Sequence, residues 1–463
     1  MSTLLKETID DPIEVPDMSE PPAFLRLAPE AEEPPHSDGH RSAAPDVEEY
    51  GPPVPDVSET DTTESDWAEG TISEAEIIEA SETSGVLEDT PPETPPVTET
   101  PKPTPNRLLS LDAFRGLTIL GMLLVNNVAL DRRTPKQMLH ADWSGAVHLA
   151  DLVFPWFLLI VGVAIPYAAA SRKTRGESYW RFVPKVFGRA ITLVLLGCLI
   201  DSSAQHKPVF DLNVLQLIGL AYFVGALIYP IPPLLRGIVA AALLGAHWYI
   251  LKHLPQPGAA TGTFNEAQNA IIYLNQTYLS RWHLSGLVSV IPASAMVLIG
   301  TGIGDLLRLE AMRPWRKFAA LCATGVVLLG LGLLWSHSIP FNKPLWSPSF
   351  MLYTAGWGAL ALAGFYAILD MFRWRWWAMP LLVFGSNAIF AYVAPILVKF
   401  YILQGWTWPG PGGKPWPLQT ALLHASIVHW GPFHGGLVYT LGYVLVWWVV
   451  LFVLYRRGIF LRV

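Results

Sequence analysis

The stretches SLDAFRGLTILGMLLVNN (110–127) and HADWSGAVHLADLVFPWFLLIVGVAIP (140–166) decide how the chain is read. Each carries an apolar run close to the roughly 20 residues that cross a bilayer as a helix. Each also carries polar side chains that lipid would not accept without a purpose or a partner. Working outward, similar runs recur near 187–203, 212–230, 235–252, 285–305, 317–335, 349–370, 378–401 and 434–455. The expected fold is an all-α, polytopic transmembrane helix bundle of about ten spans. An eleventh, re-entrant element has room between 402 and 433.

Composition agrees with a membrane domain. Of 463 residues, 51% are hydrophobic and only 15% charged, with 19 Trp, a combination foreign to soluble enzymes. No basic helix or zinc-ligand set accompanies the positive charge, which excludes nucleic acid as a partner. Cys198 and Cys322 each sit in an apolar run, so they read as buried free thiols and not as a disulfide or metal framework.

The charge is divided along the chain. Residues 1–106 hold 27 Asp+Glu against 4 Lys+Arg, and 18 of the 40 prolines. Such a segment cannot bury enough apolar surface to offset its ordering entropy, so a disordered tail is expected. PPETPPVTETPKPTP (91–105) reads as an extended spacer. The domain division is therefore a tail, 1–106, and a membrane domain, 107–463. Lys and Arg set the orientation. Loops on the side of the tail hold 17 of them and the opposite loops 8. Both termini are then cytoplasmic, and loops 131–148, 252–284, 336–348 and 402–433 face outward.

The first span and the outer loops hold the residues of interest. Asp112 and Arg115 are three apart on one helical face and can pair, as a structural ion pair or a binding element. Asn126 and Asn127 end the first span, and His140, Trp143, His148 and Asp151 lead into the second. Histidine takes a proton near neutrality. With a carboxylate such as Asp151 to fix its tautomer and an amide such as Asn126 to polarise a carbonyl, His140 has the makings of a general base. An ordinary interfacial histidine is the alternative.

Taken with VLQ (214–216), NKPLWSPSF (342–350) and FGSNAIFAY (384–392), these two stretches resemble the heparan-α-glucosaminide N-acetyltransferase family, its bacterial homologues above all. LDAFRG alone is weakly specific, since membrane sugar O-acyltransferases begin similarly. HADWSG…DLVFPWF and NKPLW carry the specificity. The resemblance implies a transmembrane acyltransferase that takes acetyl from cytoplasmic acetyl-CoA, as co-substrate and without a metal, and delivers it to an amino sugar or glycan across the membrane. It matches the family's catalytic histidine to His140 and its asparagine to Asn126; Asp151 as orienter rests on the residue types alone. Trp143, Asn342 and Lys343 would shape the acceptor site. Asn387 would line the CoA tunnel or make an interhelical hydrogen bond. Arg107, Arg115 and Arg189, near cytoplasmic ends, would hold CoA phosphates or snorkel to headgroups. The bacterial cytoplasmic membrane is the expected location, and self-association as a homo-oligomer is compatible with such a bundle.

Three departures from the family bear on the acceptor and donor grip: NVALDRRTP (127–135) after the asparagine, Leu217 in place of an arginine after VLQ, and Ser285–Gly286 where an acidic residue is usual. GTGIGD (300–305) resembles a nucleotide loop but ends an apolar span, where small residues serve helix packing. His424, His429 and His434, spaced by five, do not share a helical face for metal binding. The readings from other classes are an O-acyltransferase of a surface polysaccharide, a transporter with helices broken at Pro155, Pro166, Pro380 and Pro395, and an inactive scaffold for the tail. A transporter of that kind would show an internal repeat, and none is evident.

Overall fold

The computed structural model describes residues 108–129, 134–143, 145–176, 178–256, 258, 260–409 and 415–461. The tail, 1–106, and Arg107 lie outside the described residues. The chain is helical from Leu109: α1 (Leu109–Val125), α2 (Leu149–Lys173), α3 (Val183–Gln205), α4 (Val214–Ile228), α5 (Pro233–His253) and a short α6 (Ala270–Leu274). It continues with α7 (Val290–Arg308), α8 (Pro314–Ser336), α9 (Pro348–Phe365), α10 (Met379–Ser386), α11 (Ala388–Val398) and α12 (Leu418–Arg456). A two-stranded antiparallel hairpin, β1 (Thr407–Pro409) with β2 (Pro415–Pro417), is the one sheet among the described residues.

Seven of these helices are long and apolar enough to cross a membrane, and the bent α10–α11 pair raises the number to eight. The sequence led us to about ten. The difference lies in α1 and α4, which extend only 17 and 15 residues. The element expected between 402 and 433 is the first part of α12, Leu418–Trp430, joined to the rest across Gly431 at φ 78°. Pro155, Pro166 and Pro395 do not break their helices, whereas α12 leaves helical geometry at Gly431, directly before Pro432. α2 runs through Pro155 and Pro166, and the sharp bend of 68° falls at Asn387, whose φ −125° and ψ 48° leave the helical region.

The helices that carry the site are packed through glycine. A Cβ at Gly162 would stand 2.1 Å from the Val297 carbonyl, and one at Gly300 would stand 2.3 Å from the Leu159 carbonyl. α2 and α7 therefore touch backbone to backbone, the packing that small residues allow in lipid. GTGIGD is thus a helix-packing element. At the second such crossing, α1 on α10, a Cβ at Gly385 would meet the Asp112 carbonyl at 2.2 Å. Phe114 of α1 lies on Trp156 of α2 (ring centroids 5.5 Å apart), while Gly121 rests against Val153. The two helices run antiparallel, and the end of α1 is level with the start of α2.

Arg236, counted above among the 17 loop cations, is not a loop residue. It is buried within α5, with one nitrogen on Thr301 at 2.8 Å and an ion pair to Asp305.

We expect Gly300→Val to force α2 and α7 apart and destabilise the bundle by about 1–3 kcal/mol, as overpacking does. The check is the thermal midpoint of the purified protein in detergent, with Gly330→Val, which meets nothing within 4 Å, as the control.

Candidate active site

Asp151 is the third residue of α2 and 1% exposed. An acidic residue in a helix's first turn is favoured by the unpaired N–H groups and the helix dipole. Here the carboxylate also organises the preceding loop. Oδ2 accepts from the backbone N–H of His148 (3.0 Å) and of Ala141 (3.1 Å). Oδ1 lies 2.9 Å from His140 Nδ1 and 3.2 Å from Lys343 Nζ. Lys343 Nζ in turn lies 2.8 Å from His140 Nδ1 and 3.3 Å from Nε2. Histidine, carboxylate and ammonium form one cluster at the level where α1 ends.

The Lys343 position is set by its own loop. Trp346 N–H donates to the Lys343 carbonyl (3.0 Å), closing a turn whose last residue, Trp346, sits at φ 53°. A bulky residue in that left-handed region is strained and is held by its surroundings. Trp346 is 7% exposed, with its ring edge-on to Phe154 of α2 at 5.0 Å. Asn342 is 2% exposed. Its Nδ2 donates to the Trp143 carbonyl (2.5 Å), and its Oδ1 accepts from Leu345 N–H (2.7 Å). Trp143 Nε1 donates to the Phe264 carbonyl at 2.7 Å. Four of the residues singled out in the sequence, His140, Trp143, Asn342 and Lys343, are thus tied together with Asp151. Burial pushes the Lys343 ammonium below the ordinary lysine range, against the opposing pull of Asp151.

Asn126 lies elsewhere in the same layer. It caps α1, and its carbonyl accepts from Lys399 Nζ at 3.1 Å. No hydrogen bond joins it to His140 among the described residues. It lines a small pocket of about 20 Å³ with Asn127, Tyr392, Lys399 and Tyr443. Next to that pocket is a cleft of about 430 Å³ between α1, α2, α3, α4 and α11, and Tyr392 lines both. The cleft reaches from Arg115, Arg189 and Ser386 to Met122 and Tyr392. Arg115 is fixed there, donating to the Gly385 carbonyl and, at 2.9 Å, to Asp112. Arg189 is exposed, with its guanidinium over Tyr222. Between Arg115 and Asn126, α1 rises about 16 Å at 1.5 Å per residue.

Asn387 has a different place. It is fully buried, but the cleft is lined by its neighbours Ser386 and Ala388, and its amide bonds the segment after α12. Two residues of this region escaped the sequence reading. Lys399 had a visible signal, a cation inside the apolar run AYVAPILVKFYIL (391–403). Tyr392 had none, because mid-span tyrosines are ordinarily packing groups. Among the described residues no His, Cys, Asp and Glu group suits a metal ion.

Residues 107–338 match the family described as heparan-alpha-glucosaminide N-acetyltransferase, catalytic. The chain is 27% identical over 366 residues to the heparan-alpha-glucosaminide N-acetyltransferase of Homo sapiens, covering 65% of this chain and 54% of that one. It is 26% identical over 372 residues to the enzyme of that name from Mus musculus, covering 66% and 56%. The chain spans about half the length of the curated relatives it matches.

Asp151→Ala removes the shared anion of this cluster. Breaking a buried charge pair costs about 3–5 kcal/mol, and the 134–148 loop loses its tether. We expect a lower thermal midpoint and faster limited proteolysis within 134–148, and a smaller effect on both from Asp151→Asn, which keeps part of the hydrogen bonding.

Proposed function

The chain belongs to the heparan-alpha-glucosaminide N-acetyltransferase catalytic family, and on that premise we propose that it moves an acetyl group from acetyl-CoA to the amine of an amino sugar or glycan. It is an integral membrane protein, with a donor on one side and an acceptor on the other. One observation carries this reading. A cleft with arginines at one end runs to Tyr392 and the Asn126 pocket, at the level of the His140–Asp151–Lys343 cluster. The rise of about 16 Å along α1 suits a phosphopantetheine arm, with phosphates near Arg115 and Arg189 and the thioester near Asn126.

His140 is then the base. Asp151 accepts the Nδ1 proton, so the lone pair is on Nε2, where the acceptor amine takes the place of the Lys343 ammonium 3.3 Å away. As the acceptor nitrogen attacks the acetyl carbonyl, Nε2 takes the amine proton, the C–S bond breaks and the thiolate leaves with its electron pair. The Asn126 amide stabilises the carbonyl oxygen. The same Nε2 serves a route through acetyl-histidine. Lys343 sits against the ring as a cation. Trp143 and Asn342 shape the acceptor side.

The two shorter helices, α1 and α4, make ten spans with the other eight, which puts both termini on one side. The Lys and Arg distribution makes that side cytoplasmic. A bacterial cytoplasmic membrane fits the bacterial character of the sequence. A hydroxyl acceptor on a surface polysaccharide is the neighbouring chemistry.

Radiolabelled acetyl-CoA with a panel of amino sugars tests the reading. His140→Ala should lower turnover by about 10²–10⁴, the range of a lost general base, and Asn126→Ala by about 10²–10³. Undiminished transfer by His140→Ala overturns the mechanism. The lowered Lys343 pKa sets a second expectation. If its charge is required, activity declines on the alkaline side at a pH below the ordinary lysine range. Lys343→Arg, charged throughout, should remove that decline. Finally, a cysteine introduced at exposed Thr261 should react with impermeant maleimide on intact cells.

A further inference from the structure

The residues that follow α12 fold back onto the break between α10 and α11. Asn387 Nδ2 donates to the Ile459 carbonyl at 3.0 Å, and Asn387 Oδ1 accepts from Leu461 N–H at 2.8 Å. Both partners are backbone groups two residues apart, so one fully buried amide fixes the segment whatever its side chains. Between them stands Phe460, and Phe460 and Leu461 line the cleft beside Arg115, Arg189 and Ser386. Phe460 remains 38% exposed. The break in the helix, the amide in an apolar environment and the aromatic ring at the arginine end are thus one construction.

We propose that this C-terminal segment is a wall of the donor site at its nucleotide end, where Phe460 stacks on the adenine ring of the acyl-CoA and Asn387 is its positioning residue. The inference rests on the acetyl-CoA reading above. An aromatic face with guanidinium groups beside it is the chemistry that receives an adenine nucleotide: base–aromatic stacking on one part and charge-assisted hydrogen bonds to phosphate on the other. The thioester, at the opposite end of the cleft near Tyr392, lies beyond the reach of this segment. Its contribution therefore falls on donor binding and not on the acetyl transfer itself.

The test uses the full-length protein in detergent and three probes: acetyl-CoA, 3′-phosphoadenosine 5′-diphosphate for the nucleotide end alone, and acetyl-pantetheine for the arm alone. Wild type is compared with Phe460→Ala, Phe460→Trp, Asn387→Ala and a chain ending at Gly458. Phe460→Ala should weaken acetyl-CoA and the nucleotide by about 5–100-fold, the range that loss of one stacked base gives. Asn387→Ala and the shortened chain should match it, and combining them should add little. Phe460→Trp should restore affinity, acetyl-pantetheine should bind all variants alike, and kcat at saturating acetyl-CoA should stay within about twofold. Wild-type nucleotide affinity in Phe460→Ala and in the shortened chain overturns the inference. So does a parallel loss of acetyl-pantetheine binding, which marks a general collapse of the cleft. A wild-type protein that binds neither acetyl-CoA nor the nucleotide overturns the donor reading itself.

Discussion

The Asp151 carboxylate is the interaction on which the end of the bundle holding the candidate site depends. A charge buried at the start of a membrane helix is stable only when it is paired and hydrogen-bonded. Asp151 meets that demand with two backbone N–H groups, the His140 ring and the Lys343 ammonium. Because the four donors come from the 134–148 loop, the helix terminus and the loop before α9, satisfying one anion brings three segments together. The need to solvate a carboxylate away from water is the reason the imidazole has one orientation.

The helix crossings depend on a different constraint, close contact without a hydrophobic driving force. In lipid, helices associate through packing, and glycine lets their backbones touch. Gly162 with Gly300 joins α2 to α7, and Gly116 with Gly385 joins α1 to α10. Held close at these crossings, the helices leave a cleft beside them, between α1, α2, α3, α4 and α11. The break at Asn387 belongs to the same design. It frees the helix to bend, and the amide that leaves the helical pattern is reused to hold the C-terminal segment.

Much of the candidate site was legible in the sequence because local rules place it. Asp151 stands in the first turn of an apolar run, and His140 lies a short loop before it, so their pairing is nearly a local event. Asn342 and Lys343 were legible only as a motif. That Lys343 would lie on the His140 ring depends on contacts about 200 residues apart, which periodicity does not encode. Asn126 illustrates the opposite case. Its place at the end of the first span was readable, yet its neighbours turned out to be Tyr392 and Lys399, and its relation to His140 is one of level and not of contact.

The sequence by itself determined a helical membrane domain, its first polar–apolar boundaries and the residue types in the loops between spans. Span length, loop charge and helix-terminal chemistry are properties of neighbouring residues. Only the tertiary structure decided that α1 and α4 are too short to count by length, that the bend falls at Asn387 and not at a proline, and that Arg236 is an interior ion pair. Those outcomes come from packing and from the satisfaction of buried polar groups by distant partners. A polar residue in an apolar run announces that it needs a partner, and the folded chain alone says which one.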